Sequence, residues 1–233
     1  MSTDLKILAF DVFGTVVDWH GSIASEAKRL GLPVDPNEFA TAWRNGYKPA
    51  MARVRSGDLP WTKIDDLHRM ILDGILKTFN ITSLSESQIR ELNLIWHRLN
   101  PWPDTIEGLT RLKSKFTIVT LSNGNLSLLA NMAKNAGLPW DLILSAEVFR
   151  HYKPDPETYL GVATTFDVRP EQVMLVAAHK DDLQAAKDCG LQTAFIERPL
   201  EFGPNIPRQD LHREVFTNYH AKDINDLATQ LGC

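Results

Sequence analysis

Asp11 closes a mostly apolar run, Leu5 to Phe10, and leads into Val12-Phe13-Gly14-Thr15. A carboxylate at the carboxyl end of a buried strand, beside a glycine turn, stands where open α/β sheets place their chemistry. Such a carboxylate can act as a nucleophile and form a covalent ester. An aspartate near a glycine also shapes ordinary turns. What decides between the two is whether the rest of the chain brings other reactive groups to the same place.

Three more polar clusters bear on this. Ser122-Asn123-Gly124 follows the apolar stretch Phe116–Leu121. Tyr152-Lys153-Pro154-Asp155-Pro156 is the second. Ala177-Ala178-His179-Lys180-Asp181-Asp182 ends the run Val173–Ala177. Singly, each has an ordinary explanation: turn chemistry for Ser-Asn-Gly, a solvated lysine, a surface histidine, an N-cap aspartate. Together, a nucleophilic carboxylate, hydroxyls at Thr15 and Ser122, an amide, a lysine and a second carboxylate make a site if one sheet edge collects them.

The elements that must do so are legible in outline. A strand over Lys6–Phe10 is followed by the next clear strand, Phe116–Leu121, only about a hundred residues later, far beyond an ordinary crossover. Helical signals fill the gap. Asp35-Pro36-Asn37-Glu38 is a helix start, with Phe39, Ala42 and Trp43 on one face. Ile64, Leu67, Ile71, Ile75 and Phe79 repeat at helical spacing. Ser85 to Gln88 is a capping box leading into one helix through Ile89, Leu92, Trp96 and Leu99. Two prolines in Asn100-Pro101-Trp102-Pro103-Asp104 then forbid continuous helix.

From Asp104, strands and helices alternate. A helix capped by Asp104 precedes Phe116–Leu121, and another over Leu126–Asn135 stops at Gly137. Leu142–Leu144, Val173–Ala177 and Thr193–Ile196 read as strands, with Val215-Phe216-Thr217 as a candidate last one. Helices start at Asp155-Pro156 and near Asp182. The expected fold is α/β: a Rossmann-like, mainly parallel sheet core with helices on both faces and a helical cap inserted after the first strand. The expected boundaries are 1–16 and 101–233 for the core and 17–100 for the cap. Right-handed crossovers place the strand-end loops along one edge.

Composition bounds the function. The chain has 233 residues, 43% apolar and 23% charged, an ordinary globular balance. A net charge of −4 favours neither nucleic acid nor an anionic membrane as partner. No stretch approaches a membrane span, and the N-terminus lacks a signal-peptide pattern. Two cysteines, Cys189 and Cys233, form neither a disulfide framework nor a zinc pattern, so a reduced cytoplasmic setting is the expectation.

The order of these motifs resembles the haloacid dehalogenase superfamily over nearly the whole chain: Asp11-x-x-Gly14-Thr15, a helical cap, Ser122, Lys153 and Asp182. Phosphatases of that superfamily carry a second aspartate where this chain has Phe13, and Gly-Asp where it has Ala177-Ala178. Both departures point away from phosphoryl transfer, which relies on a metal to neutralise charge. The 2-haloacid dehalogenase branch is the better match: Asp-x-aromatic-Gly-Thr, Trp43-Arg44 in the cap, Leu121-Ser122-Asn123-Gly124, and Tyr152-Lys153-Pro154-Asp155 with Tyr159 six residues after the lysine. Its better-known members have Ser-Ser-Asn-Ala-Trp-Asp where this chain has Ala177 to Asp182, so His179 replaces an asparagine.

The resemblance implies a hydrolytic dehalogenase. It would convert (S)-2-haloalkanoic acids, haloacetates included, to 2-hydroxy acids with inversion, without cofactor or metal, as a homodimer; His179, bulkier than the asparagine it replaces, should narrow the halide end and bring fluoroacetate into range as a slow substrate. Asp11 would attack the halogenated carbon, and water would then cleave the ester. Lys153 would hold Asp11 ionised, with Thr15 in the same motif. Asp182 or His179 would activate the water. Ser122 and backbone amides near Asp11 would hold the substrate carboxylate. Arg44 and Asn123 would meet the halide, and Phe13, Trp43 and Tyr159 would line a dry pocket. Asp11 and Lys153 are expected in solvent-accessible loops. A magnesium-dependent phosphatase and a non-catalytic phospho-acceptor regulator are the alternatives.

Overall fold

A computed structural model describes residues 4–233. The chain opens with β1 (Ile7–Phe10), crosses the motif loop and forms the short β2 (Val17–Asp18). Five helices follow: α1 (Trp19–Arg29), α2 (Pro36–Asn45), α3 (Tyr47–Arg55), α4 (Ile64–Thr78) and α5 (Glu86–Asn93). The short β3 (Asn100–Pro101) returns antiparallel to β2, pairing Val17 with Pro101 and Asp18 with Asn100. The helical insertion therefore leaves and returns through one two-stranded neck.

The rest alternates: α6 (Thr105–Lys113), β4 (Thr117–Ser122), α7 (Leu126–Ala136), β5 (Leu142–Ser145), α8 (Ala146–Phe149), α9 (Pro156–Thr165), β6 (Val173–Ala177), α10 (Lys180–Asp188), β7 (Gln192–Ile196), β8 (Tyr219–Ala221) and α11 (Ile224–Gln230). Six strands form one parallel sheet in the order β5-β4-β1-β6-β7-β8. Every residue of β1, β6 and β7 is buried, as a sheet covered on both faces requires. Leu8, Phe10, Met174 and Val176 face α7 and α11 through Leu128, Met132 and Leu227. Ile7, Ala9, Leu175 and Ala177 face α9 and α10 through Val162, Leu183 and Ala186.

The local signals act as expected at several ends. The Asp35 carboxylate accepts from the amides of Asn37 and Glu38, and Ser85 and Gln88 form the reciprocal capping box. Gly137 ends α7 at φ +69°.

Other expectations are corrected. The helix drawn from Ser85 to Leu99 is α only to Asn93. Leu94–Arg98 tightens into a 3-10 turn, which buries the consecutive residues Ile95, Trp96 and His97. Asp104 precedes α6 but does not cap it with its side chain. Its carboxylate takes a two-pronged contact from Arg198, 2.8 Å on each oxygen, and the amide of Ile224. Val215-Phe216-Thr217 is not a strand, and Val215 is fully exposed. The sixth strand lies a few residues on, at β8.

Candidate active site

β1 lies between β4 and β6, and its register fixes the site. Phe10 pairs with Thr120 on one side and Val176 on the other, and the Asp11 amide donates to the Val176 carbonyl at 3.0 Å. Asp11 thus emerges level with the ends of both neighbours, where the crossovers diverge and open a crevice. A cavity of about 430 Å³ occupies it. Asp11, Phe13, Asn123, Lys153, Tyr159, His179 and Asp182 approach from the sheet edge, and Arg44, Tyr47 and Met51 from α2 and α3.

Asp11 is held from three sides. Lys153 Nζ donates to its Oδ1 at 2.9 Å. The Thr15 hydroxyl donates to Oδ2 at 2.7 Å, and that same hydroxyl accepts from the Ala178 amide. His179 Nδ1 lies 3.2 Å from Oδ2. Burial alone would raise the Asp11 carboxyl, but the Lys153 ammonium and the His179 ring outweigh it. They hold the carboxyl well below the usual carboxylate range.

Lys153 Nζ also donates to Asp182 Oδ2 at 2.6 Å, and the Tyr159 hydroxyl donates to Asp182 Oδ1 at 2.6 Å. Burial disfavours the charged lysine, yet the two carboxylates push its pKa up. Asp182 moves the other way from Asp11: burial, with the Asp11 charge adding, raises its carboxyl against the pull of Lys153. The two carboxylates on one ammonium are therefore driven apart in proton affinity, which suits different tasks. Asp11 is only 7% exposed and Lys153 9%, which corrects the expectation that they occupy solvent-accessible loops. Their strand-end loops are roofed by α2 and α3.

The cavity's upper wall is aromatic and cationic. Phe13 meets Tyr47 and Trp96 edge-on. The Arg44 guanidinium lies 4.3 Å from the Tyr47 ring centroid and makes no hydrogen bond or ion pair among the described residues. Asn123 takes the Lys153 amide on Oδ1 at 2.8 Å and turns Nδ2 towards Met51 Sδ at 3.3 Å.

Two expected contacts are not made. Trp43 is fully buried behind the cavity, its indole donating to the His68 carbonyl and its ring packed on Phe39 and Trp96. The next residue, Arg44, is rotated about 100° round the helix and faces the cavity instead. Ser122 is fully buried too, and its hydroxyl accepts from the Gly124 amide at 3.1 Å, closing its own loop instead of facing the cavity.

Residues 5–190 match the sequence profile of haloacid dehalogenase-like hydrolases. The chain belongs to the haloacid dehalogenase-like hydrolase family. Two solved structures, an L-2-haloacid dehalogenase and a defluorinating L-2-haloacid dehalogenase, each share 46% identity with it at a TM-score of 0.93. Both cover 98% of this chain, which covers 100% and 96% of theirs. An (S)-2-haloacid dehalogenase from a Pseudomonas species is 28% identical over 205 residues, 83% of this chain and 85% of its own length.

Within this haloacid dehalogenase-like hydrolase, several site residues escaped sequence reasoning. Tyr47 and Met51 lie on α3, a helix hidden by Gly46 at its start and Pro49 in its first turn. Glu201 and Arg208 lie between β7 and β8 in a segment without helix or strand, where no periodicity marks them. Glu201 is completely buried. Its Oε1 meets His179 Nε2 at 2.7 Å and the Trp19 indole at 3.3 Å, and its Oε2 meets Arg208 at 2.8 Å. Burial would discharge His179, but the Glu201 charge and the Asp11 contact push its pKa up to about 10. A carboxylate at each ring nitrogen thus favours the imidazolium form.

A magnesium ion does not suit these residues. Phe13 and Ala178 offer no oxygen donor side chain, and the carboxylates of Asp11 and Asp182 are already bridged by the Lys153 ammonium.

Proposed function

We propose that this protein is a hydrolytic 2-haloacid dehalogenase acting on (S)-2-haloalkanoic acids, with haloacetates and fluoroacetate as small members of its substrate range. One observation carries the reading: an ionised, buried aspartate faces the cavity with an aromatic residue, not an acid, two positions on. Halide leaves without a proton, so Phe13 costs this chemistry nothing. The high identity to two L-2-haloacid dehalogenases supports the same conclusion.

In this reading residues 17–100 form a cap over a core of residues 1–16 and 101–233. The Asp11 Oδ1 lone pair forms the carbon–oxygen bond as the carbon–halogen pair departs in line, inverting the carbon. Oδ2, with Thr15 and His179 as donors, becomes the ester carbonyl oxygen. Those donors then take up its charge when water adds to Cγ. His179 donates from both nitrogens and has no lone pair for a proton, so Asp182 receives the water's proton. The Cγ–O bond to the substrate breaks, the departing alkoxide takes a proton from Lys153, and the Asp11 carboxyl, formed as the acid, sheds its remaining proton to solvent to restore the carboxylate. Asp182 returns one to Lys153 across their 2.6 Å contact.

Arg44, without an acidic partner, and Asn123 Nδ2 receive the halide. The amides of Val12 and Phe13 find no acceptor among the described residues and are offered to the substrate carboxylate. Ser122 closes the loop that carries Asn123 through the Gly124 amide, and Phe13 keeps the pocket dry. Tyr159 anchors Asp182. A cytoplasmic homodimer belongs to the same proposal.

Halide release from each enantiomer of 2-chloropropionate, with and without a chelator, tests the function. Release from the S enantiomer that the chelator leaves unchanged supports it. Magnesium-dependent hydrolysis of p-nitrophenyl phosphate with no halide release would replace it with the phosphatase reading.

A further inference from the structure

We infer that Glu201 is a positioning residue for the reaction, a buried carboxylate that holds the His179 ring as a donor against the nucleophile and is itself anchored by Arg208 and Trp19. The inference rests on the dehalogenase reading for its kinetic part only.

The geometry is a continuous chain. Asp11 Oδ2 is 3.2 Å from His179 Nδ1, and His179 Nε2 is 2.7 Å from Glu201 Oε1. Glu201 Oε2 is 2.8 Å from Arg208, which also donates to the Ala178 carbonyl at 2.7 Å and to Asp210. Arg208 therefore ties the segment after β7 to the loop that carries His179. A carboxylate with no exposed surface is expensive to bury unless every contact is charge-assisted.

The second nitrogen of a histidine decides what the first one does. With Glu201 accepting at Nε2, Nδ1 must carry a proton to meet Asp11, and the ring keeps both. Without the Glu201 charge, the ring becomes neutral more easily, and a lone pair can then face the Asp11 carboxylate. The other charged groups around the ring are Asp11 at the end of β1, Asp181 and Asp182 on α10, Lys153, Arg44 of α2 and Arg208. Of these only Asp11 and Glu201 touch the ring's nitrogens.

The test uses Glu201→Gln, which keeps the size and an accepting oxygen but not the charge. Glu201→Asp, which withdraws the carboxylate by one methylene, is its companion. His179 is followed by NMR against pH in the substrate-free protein, its signal among the seven histidines assigned by its loss in His179→Gln. The native ring is expected to hold its proton through neutral pH. In Glu201→Gln it should titrate about a unit or more lower, and in Glu201→Asp it should shift the same way by less. Turnover of (S)-2-chloropropionate should fall about tenfold or more with KM little changed, and the loss should deepen as pH rises.

An unshifted His179 titration in both variants overturns the assignment, whatever happens to turnover. So does a Glu201→Gln loss that persists in full in a His179→Gln background. If Glu201→Gln fails to fold, the direction of the Glu201→Asp shift decides. A native protein that releases no halide sinks the dehalogenase reading, yet the titration still tests this one.

Discussion

A Cβ placed on Gly14 would collide with Glu201 Oε1, although the two residues are far apart in sequence. Gly14 also sits at φ +85°, a conformation that side chains resist. The glycine of the nucleophile motif therefore serves the turn and, at the same time, leaves room for the carboxylate behind His179.

Gly14→Ala should be doubly penalised. The backbone strain alone costs about 1–3 kcal/mol, and the displaced Glu201 should release His179. Expected outcomes are a lower midpoint in urea and a turnover loss larger than the stability loss explains. Unchanged turnover in folded Gly14→Ala would show that Glu201 can move without consequence.

Lys153→Ala should abolish turnover and also destabilise the fold, by about 3–5 kcal/mol, because it leaves Asp11 and Asp182 buried without their shared cation. Lys153→Arg should recover more stability than activity. Urea unfolding beside halide release checks both. Near-native stability of Lys153→Ala would mean that water reaches the pair freely.

The pH dependence of stability has a definite sign. His179 is raised from an ordinary value of 6.5 to about 10 in the folded protein. Its contribution is complete below pH 6.5 and is lost as pH rises towards 10. Asp11 is depressed, so its contribution is present above the ordinary aspartate range and is lost as acid protonates it. The melting temperature should therefore decline from pH 6.5 to 10 in the native protein and less steeply in His179→Gln. Equal slopes would contradict the doubly bonded imidazolium.

Arg44→Lys keeps a charge but loses the flat guanidinium stacked on Tyr47. Turnover should fall, and inhibition by added chloride or bromide should need a roughly several-fold higher concentration, because an anion contact is lost. Unaltered halide inhibition would place the halide elsewhere in the cavity.

The sheet and the reactive loops were legible because short-range signals coincide with them. Apolar runs end at Asp11, Ser122 and Ala177, and Asp35, Ser85 and Gly137 mark helix ends through local hydrogen bonds. What stayed hidden depends on distant contacts. Asp104 reads as a cap but is claimed by Arg198 from across the fold. Glu201 has no local pattern, since its role comes from His179, Trp19 and Arg208 meeting it in space. Val215 belongs to an apolar triplet that looks like a strand, yet nothing packs on it. Ser122 and Trp43 lie on the loop and the helix that border the cavity, but their side-chain directions follow from packing that no spacing records.

The central claim is a covalent ester on Asp11, and a single turnover in heavy-oxygen water tests it most directly. With enzyme in excess over (S)-2-chloropropionate, water attacks the ester carbonyl, so the label should appear in the Asp11 carboxylate by peptide mass spectrometry. The first-formed hydroxy acid should be unlabelled. Label in the hydroxy acid alone, with Asp11 unlabelled, would mean that water displaces the halide directly, and the account would fail.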